Sequence, residues 1–373
     1  MRAKPDGSYI SYFSDLVKIN GGINLAQGIP GFQPPAELIR VLKDVADTQH
    51  HQYAPGIGNL QLRTQIERRY GVEPDGLLVV QGATEGLSLV YTYLFRMLGN
   101  NLVTLSFDPA YESYSRLPQI FNHKFIAFPL LNDEIIDFNE LRKSIEFNRV
   151  KLIFLSSPGN PYGKVWTSTE VSQLLELATE LNFFVVFDSV YEEFYFSQKP
   201  YIPLDNISER LFIVSSFSKS LCITGWRVGY VIHHPNHTKA IRAIHDYIGL
   251  CAPSVTQQAL AVYLAQFQYG NTYMEELRQW IKNTFNSLRD ELIRFNFTVP
   301  RIDGGCFIWA KLPDSFTDGF EFASDLYETT GVAVIPGEHF SSSKINWLRF
   351  NVARPIEEID LARKRIADFM SKL

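Results

Sequence analysis

The sequence contains few cysteines, and their placement excludes two common kinds of structural site. Only three of the 373 residues are cysteine, namely Cys222, Cys251 and Cys306. They are odd in number and far apart, and none belongs to a CxxC motif or to a Cys/His cluster with metal-ligand spacing. We therefore expect neither a disulfide framework nor a zinc site.

A strong net charge and a long apolar run are also missing. The net charge is −5, so the chain has no basic footprint of the kind that nucleic-acid binding requires. No stretch reaches 18 uninterrupted apolar residues, and the opening letters MRAKPDGSYISYF lack the apolar run of a signal peptide. These absences predict a cytoplasmic protein that binds neither nucleic acid nor membranes.

Short apolar runs recur along the first two thirds of the chain and alternate with helical patterns. Runs that lack polar alternation are typical of strands buried on both faces. Six such runs occupy residues 77–80, 102–105, 150–155, 183–187, 211–215 and 229–232. Amphipathic stretches such as TSTEVSQLLELATELN lie between them. This order predicts an α/β fold with a mostly parallel sheet covered by helices on both faces.

The pattern changes after about residue 275, where a long charged helix is followed by shorter strand-like pieces. These pieces are GGCFIWAKL, GVAVIP and WLRFNVA, and a closing helix begins at Ile356. We predict a large domain at 36–273 and a small C-terminal α+β domain at 274–373. Residues 1–35 are expected to form an N-terminal segment and arm that belongs to the small domain. No long linker separates these parts.

Ligands in such sheets bind at the carboxyl ends of the strands, so the residues after each run are the first candidates. The run at 77–80 is followed by a glycine turn and a helix, whose free N–H groups at Ala83 and Thr84 could hold an anion. The run at 150–155 is followed by SSPGNPYGKVW, where Asn160 could donate to a ligand. Ordinary turns into the next helix explain both segments equally well at this point.

Two further strand ends carry charged side chains. Asp188 ends a wholly apolar run, so it is either a helix cap or a buried acid that holds a protonated ring nitrogen. Lys219 lies in SSFSKS, where burial among Ser216, Ser218 and other small residues would make it an amine nucleophile. Arg227 follows with a planar fork suited to phosphate. The alternative is a solvated lysine in a turn.

Together, the four strand ends describe a site for a phosphorylated pyridine that carries an aldehyde. The phosphate would take the helix start, the hydroxyl groups and Arg227. The ring nitrogen would meet Asp188, and the aldehyde would react with Lys219.

With these motifs, the sequence resembles the class I aminotransferases of fold type I, which depend on pyridoxal 5′-phosphate. It is most similar to the branch of kynurenine/glutamine and bacterial methionine aminotransferases. The resemblance runs from INLAQGIPGF, at about Asn24, to the C-terminal helix, and it rests on SFSKSLCITGWRVGY, SSPGNPYGKV and DSVYEEF. It implies a large cofactor-binding domain with a mostly parallel sheet, a smaller α+β domain and pyridoxal 5′-phosphate as cofactor.

The resemblance also implies roles for individual residues around the cofactor. Lys219 matches the lysine that bonds to the cofactor and later moves the proton, and Asp188 matches the acid paired with the pyridinium. Asn160 and Tyr191 match the donors to the cofactor's 3′ oxygen. The residues that match phosphate ligands are Ser216, Ser218 and Arg227, with the backbone at Ala83 and Thr84.

Further matches concern the ring face, the substrate and the second subunit. Tyr111 in DPAYESY matches the aromatic residue that stacks on the ring, with Tyr114 as its nearest competitor. Arg349 in WLRFNVA matches the arginine that grips the substrate α-carboxylate, although a surface arginine on an edge strand fits the same alternation. Gly28 matches a small residue against which the substrate lies. Tyr53 in QYAPGIG matches a tyrosine that reaches the neighbouring subunit's phosphate, which implies a homodimer with shared active sites.

The implied reaction moves an amino group from an L-amino acid to a 2-oxo acid. The expected donors are methionine, glutamine, aromatic or kynurenine-like amino acids, because the chain is rich in aromatic residues; Arg354 is the alternative partner for an acidic side chain. A C–S β-lyase is the alternative enzyme, since the same lysine, acid and arginine serve elimination. A cofactor-binding regulator without catalysis is a remote alternative, because no basic helix-turn-helix pattern precedes Ile23.

Overall fold

The computed structural model describes residues 2–48, 50–130, 135–205 and 207–373. These residues form twelve strands and thirteen α-helices. The strands are β1 (Ile23–Asn24), β2 (Leu77–Val80), β3 (Val103–Asp108), β4 (Phe125–Pro129), β5 (Val150–Ser156), β6 (Phe184–Asp188), β7 (Leu211–Ser216), β8 (Gly229–His233), β9 (Phe307–Lys311), β10 (Val332–Ala333), β11 (Ile335–Pro336) and β12 (Trp347–Asn351).

The helices connect and cover these strands. They are α1 (Tyr9–Asn20), α2 (Ala36–Ala46), α3 (Leu60–Tyr70), α4 (Ala83–Leu98), α5 (Glu112–Ile120), α6 (Phe138–Asn148), α7 (Ser168–Leu181), α8 (Phe217–Ser220), α9 (Thr238–Ile248), α10 (Ser254–Gln266), α11 (Asn271–Arg294), α12 (Gly319–Thr330) and α13 (Ile356–Met370). Helix α7 begins where the sequence predicts, because Thr167 and Glu170 form a reciprocal capping box at its start.

The largest sheet has seven strands in the order β2-β8-β7-β6-β5-β3-β4. Only β8 runs antiparallel to its neighbours. The predicted α/β fold with a mostly parallel sheet is therefore confirmed, and all six predicted runs are strands of this sheet. The sequence analysis did not single out β4, an edge strand of sequence FIAFP in which only Phe128 is buried.

The absence of alternation in these strands follows from burial on both faces. In β7, Leu211 and Ile213 belong to the apolar core on one face of the sheet. Phe212 and Val214 belong to the core on the other face. Apolar residues are thus favoured at every position of β7 before its two terminal serines.

A third apolar core lies around the C-terminal part of the chain. It combines Phe13 and Leu25 from the N-terminal part with residues of α11, α12, α13 and the antiparallel sheet β11-β12-β9. The parallel pair of β1 and β10 joins the same two parts of the chain. This packing agrees with the expectation that the N-terminal segment belongs with the C-terminal part, while the domain boundaries at 35 and 273 stay a prediction.

The described ranges contain no helix with both the length and the apolar content needed to cross a membrane. They also contain no group of three or more histidine, cysteine, aspartate or glutamate side chains placed to hold a metal ion. Cys222, Cys251 and Cys306 are free thiols.

Candidate active site

A cavity of about 250 Å³ lies at the carboxyl ends of the parallel strands. Five strands of the large sheet direct residues to it, because side chains that follow parallel strands meet at one edge of the sheet. The predicted residues that line it are Gly28, Ala83, Thr84, Tyr111, Asn160, Asp188, Tyr191, Ser216, Ser218, Lys219, Arg227 and Arg349. The structure therefore brings together every predicted site residue except Tyr53.

Lys219 lies on the short helix α8, directly after β7, and its amine faces the cavity. The Nζ atom donates a hydrogen bond of 2.5 Å to the carbonyl oxygen of Gly28 and lies 5.9 Å from the centre of the Tyr191 ring. Burial lowers the pKa of Lys219 below its ordinary value, and the positive charges of Arg349 and Arg227 act in the same direction. The alternative of a solvated lysine in a turn is wrong, and a depressed pKa favours the nucleophilic amine.

Asp188 ends β6 as a buried carboxyl group that is held from two sides. Its Oδ2 accepts a hydrogen bond of 2.8 Å from the Tyr114 hydroxyl, and its Oδ1 accepts one of 3.1 Å from the Val190 amide. Burial raises the pKa of Asp188 to about 6, although both hydrogen bonds oppose this rise. The hydrogen bond from the Val190 amide shows that Asp188 also stabilises the turn after β6, as the alternative of a cap requires. A cap alone, however, does not explain why the carboxyl group is buried beside a cavity.

Tyr114, the alternative candidate for the ring face, lines the cavity as well, and its hydroxyl is the partner of Asp188. Its ring is stacked on Phe154 at 4.9 Å between centroids, inside the core. Tyr111 lines the cavity and meets Tyr114 edge-on, with an angle of 90° between the ring planes. Because the Tyr114 ring is already stacked on Phe154, the geometry favours Tyr111 as the residue that covers a bound ring, and this role stays a prediction.

The groups predicted to bind phosphate lie side by side. The hydroxyl oxygens of Ser216 and Ser218 are 2.8 Å apart. The Arg227 guanidinium donates hydrogen bonds of 3.0 Å to the carbonyl oxygens of Thr224 and Gln81. Two carbonyl groups therefore fix its plane at the cavity wall, while its charge has no carboxylate partner within the described residues.

Two glycines allow the start of α4 to approach this group. A Cβ atom on Gly229 would lie 2.7 Å from the Ser215 carbonyl oxygen and 2.8 Å from the Gly82 Cα. Gly82 itself has a φ of +85°, which side chains other than glycine rarely adopt. The first N–H groups of α4, at Ala83 and Thr84, are thereby placed beside the end of β7, where they and the helix dipole favour an anion.

Arg349 lies in the middle strand of the three-stranded sheet and is fully buried. It donates through Nη1 to the Asn160 side-chain oxygen at 2.9 Å and through Nη2 to the Ala26 carbonyl oxygen. Its guanidinium lies between the rings of Phe307 and Phe340, at 4.3 and 4.7 Å from their centres. The alternative of a surface arginine on an edge strand is therefore wrong.

The Arg349 charge is not neutralised by the part of the chain that the structure describes. Its Nε atom has no hydrogen-bond partner there, and burial lowers the pKa of the guanidinium to about 10. A buried cation of this kind is costly unless an anion meets it. Because it faces the same cavity as Lys219, the geometry fits a ligand carboxylate.

Two residues considered from the sequence lie outside the cavity. Tyr53 is 83% exposed, so it does not contribute to the site of its own chain. Arg354 forms a double contact of 2.9 and 2.7 Å with Glu358 and does not line the cavity. This position does not favour Arg354 as the partner of an acidic substrate side chain.

Other lining residues were not predicted from the sequence. They include Ile10 on α1, Glu112 at the start of α5 and Thr224. Glu112 has the signal of an ordinary first-turn acid, and Ile10 is one apolar residue of an amphipathic helix. Only the tertiary structure brings these residues to the cavity wall, so no local motif indicates them.

The cavity fits the group that the sequence predicts. It joins an amine of depressed pKa, a buried acid, an anion-binding helix start with an arginine, and an aromatic ring face. These are the contacts that an aldehyde, a protonated ring nitrogen, a phosphate and a planar ring require. The individual roles of the residues stay predictions.

Comparisons with known proteins agree with this geometry. The family model "Aminotransferase class I and II" matches residues 20–366. The methionine aminotransferase of Escherichia coli (strain K12) is 30% identical over 339 residues, which cover 87% of this chain and 85% of the relative. A probable aspartate aminotransferase of Methanocaldococcus jannaschii is 29% identical, with 91% of each chain covered.

A solved structure shows the same fold. The N-succinyldiaminopimelate aminotransferase of Mycobacterium tuberculosis superposes with a TM-score of 0.87 at 27% identity, covering 97% of each chain. The family match spans most of the chain, and the site supplies the groups that the cofactor needs. The chain belongs to the class I and II aminotransferases, and it is a pyridoxal-phosphate-dependent transaminase of fold type I.

Proposed function

We propose that this transaminase takes its amino group from an L-amino acid with a neutral side chain and delivers it to a 2-oxo acid. The candidate donors are methionine, glutamine, aromatic and kynurenine-like amino acids. The relatives are named for aspartate, methionine and N-succinyldiaminopimelate, so similarity alone does not select the donor. The charges that line the cavity support the choice of donors with a neutral side chain.

The cavity offers three cations, and each has a use in the proposed reaction. Among the described lining residues these are Lys219, Arg227 and Arg349. Lys219 reacts, Arg227 holds the phosphate and Arg349 holds the substrate α-carboxylate. No fourth cation is left in that lining for a second carboxylate, while Ile10 and Ile29 supply apolar surface. This observation carries the proposal of a neutral side chain.

Pyridoxal 5′-phosphate, when bound, supplies an aldehyde that takes up the amino group and a ring that draws electron density from the substrate Cα. In the proposed mechanism the Lys219 amine removes the proton from the substrate Cα and returns it to the carbon that was the aldehyde carbon of the cofactor. Its depressed pKa leaves the amine able to accept that proton. The Asp188 carboxylate, held by Tyr114 and Val190, keeps the ring nitrogen protonated.

Other residues orient the reacting groups. Tyr111 covers one face of the ring, and Tyr191 and the amide of Asn160 donate to the ring oxygen. The Asn160 amide is oriented by Arg349, which bonds to its side-chain oxygen. Gly28 would lie against the substrate, because it lines the cavity; a Cβ atom there would lie 3.0 Å from the Phe307 ring.

The phosphate is held by the hydroxyl groups and by Arg227 with the start of α4. We further propose that Tyr53 of a second copy completes this phosphate site, so that the working unit is a homodimer. The exposure of Tyr53 in its own chain supports this part of the proposal, since a tyrosine so placed can reach another chain.

A panel of amino donors tests the proposal. The holoenzyme is supplied in turn with methionine, glutamine, phenylalanine, kynurenine and aspartate, and the absorbance change of the bound cofactor is recorded. We expect the neutral donors to react and aspartate to react at least about tenfold more slowly, because its second carboxylate meets no cation. A preference for aspartate would contradict the proposed donor class.

The Lys219→Ala variant tests the role of the lysine in the same assay. Turnover should fall by at least about 1,000-fold, because one side chain supplies both the bond to the cofactor and the proton transfer. Lys239→Ala, on the exposed face of α9, is the matched control and should retain turnover. Release of pyruvate and ammonia from cystathionine without any 2-oxo acid would instead identify a β-lyase.

A further inference from the structure

One carboxylate in the cavity has no role in the mechanism above. Glu112 is the first residue of α5 and follows Tyr111. A first-turn acid ordinarily points to solvent and interacts with the helix dipole. The Glu112 side chain is only 20% exposed, and it lines the cavity together with Ile10 and Arg349.

Contacts from two distant parts of the chain hold this carboxylate in place. The Ser8 hydroxyl donates to Oε1 at 3.2 Å, and His339 Nε2 lies 3.0 Å from Oε2. His339 is itself almost fully buried and is stacked on Tyr9 at 5.6 Å. Glu112 is therefore an oriented group at the cavity wall and not a mobile surface side chain.

The carboxylate is also an anion with acceptor capacity to spare. Burial raises the pKa of Glu112, but the close His339 ring, the Ser8 hydrogen bond and the charge of Arg349 outweigh this, so its pKa lies below the ordinary value. An ionised carboxylate has about four acceptor positions, and the contacts with Ser8 and His339 use two. The remaining positions are free to meet a ligand.

A substrate in this cavity would thus lie between a cation and an anion. With the α-carboxylate on Arg349, the substrate side chain would occupy a cavity whose lining includes Ile10 and Glu112. A carboxylate at the end of that side chain would face a like charge, which is strongly disfavoured at close range. An N–H group there would instead find an oriented acceptor, and such a contact discriminates strongly against analogues that lack the donor.

We propose that Glu112 is a specificity-determining residue: it accepts a hydrogen bond from the side-chain amide or amine of the amino donor and repels acidic side chains. This inference rests on the proposed function, and it narrows the donor class to neutral amino acids whose side chain carries an N–H group. Glutamine and the arylamine of kynurenine-like donors have this chemistry.

Glutamine and glutamate test the inference, because they have the same shape and differ in charge and in donor capacity. The ratio of their kcat/KM values is measured for the wild type and for Glu112→Gln. We expect the wild type to favour glutamine by about 100-fold or more, and the variant to reduce this ratio at least about tenfold. Most of the change should come from a lower KM for glutamate.

Glu338→Gln is the matched control. Glu338 also lies close to His339 in the chain, but its carboxylate contacts Lys4 at 2.6 Å and does not line the cavity. The control should retain the wild-type ratio. Thermal unfolding of both variants shows whether the fold is kept, and an unchanged ratio in a folded Glu112→Gln enzyme would overturn the inference.

A binding measurement separates this inference from the proposed function. Glutarate and its monoamide, glutaramate, lack the amino group and cannot react, so their affinity for the holoenzyme is read from the cofactor absorbance. The wild type should prefer the monoamide, and Glu112→Gln should reduce the preference at least about tenfold. If no amino donor reacts, the proposed function fails while this measurement still decides the role of Glu112.

Discussion

Three buried ionisable groups face one cavity, and burial shifts the pKa of each in the direction that favours its neutral form. The pKa of Lys219 and that of Arg349 are lowered, and the pKa of Asp188 is raised. Each group is costly to keep charged in the protein alone. A carboxylate at Arg349, a protonated ring at Asp188 and an aldehyde that reacts with Lys219 would offset these costs, so the burial that destabilises the charges also favours binding of these groups.

The Asp188→Asn substitution tests, in the cofactor-free protein, whether keeping a buried group charged costs stability. The folded pKa is about 6 and the ordinary value is 3.8, so the folded state binds the extra proton. The contribution of Asp188 to stability is therefore fully present at low pH and is lost as the pH rises through about 6. The free energy of unfolding is measured by urea unfolding for both proteins at pH 4.5 and at pH 7.5. The value for Asp188→Asn minus the value for the wild type should increase by about 2 kcal/mol from the lower to the higher pH.

Tyr114→Phe provides the companion variant. Its hydroxyl bond lowers the pKa of Asp188, so removing it should move the loss of stability to higher pH. In the holoenzyme, Asp188→Asn should be less stable than the wild type and should bind the cofactor more weakly, because the amide cannot neutralise a protonated ring nitrogen. A stability difference that is the same at pH 4.5 and 7.5 would show that Asp188 titrates at its ordinary pKa.

At the level of elements, the strand ends were predictable, while the contacts between them were not. Continuous apolar runs indicate buried strands, and the polar residues that follow them must meet at one sheet edge. Asp188 and Lys219 could be placed together for that reason. The hydrogen bond from the Tyr114 hydroxyl to Asp188 was not predicted, because the direction of a side chain on α5 depends on how that helix packs. Glu112 was missed for the same reason.

The approach of α4 to the end of β7 gives a prediction at this scale. A methyl group on Gly229 would meet the backbone of Ser215 and Gly82 at under 3 Å, and backbone atoms cannot move aside cheaply. Gly229→Ala should therefore lower the free energy of unfolding by about 1 to 3 kcal/mol. It should also weaken cofactor binding at least about tenfold, because the N–H groups of α4 are displaced from the phosphate site.

Gly225→Ala is the control for this substitution. It lies four residues away in the same stretch, and no atom lies within 4 Å of the position of its added Cβ. Its stability, measured by thermal unfolding, should stay within about 0.5 kcal/mol of the wild type, and its cofactor affinity, measured by titration, should not change. Equal effects of the two substitutions would contradict the argument from close approach.

A group of exposed apolar residues near Tyr53 supports the proposed assembly of two copies. Tyr53, Tyr247, Ile248 and Leu250 are exposed apolar residues, and Tyr247 is 92% exposed. Clustered exposed apolar side chains are typical of interaction surfaces. The segment that carries Tyr53 is close to this group, because Gly56 approaches the Leu250 carbonyl oxygen. In the proposed homodimer, this surface would place Tyr53 of each copy at the phosphate of the other.

Mixing two impaired variants tests that arrangement. Tyr53→Ala and Lys219→Ala are refolded together, and turnover is measured at a cofactor concentration that leaves Tyr53→Ala alone mostly unloaded. A mixed dimer has one site with Lys219 from one copy and Tyr53 from the other, both native. Random pairing of two copies should therefore restore about a quarter of the wild-type sites.

A second mixture controls for any recovery of turnover that does not require an active site built from residues of both copies. Lys219 and Asp188 line the cavity of one and the same chain, so a mixture of Lys219→Ala with Asp188→Asn contains no site in which both are native. This mixture should gain no turnover over its separate components. If the mixture of Tyr53→Ala with Lys219→Ala also gains none, while the refolded wild type recovers, Tyr53 does not act across the dimer. The phosphate site is then complete within one chain, because the hydroxyl groups, Arg227 and the start of α4 all belong to it.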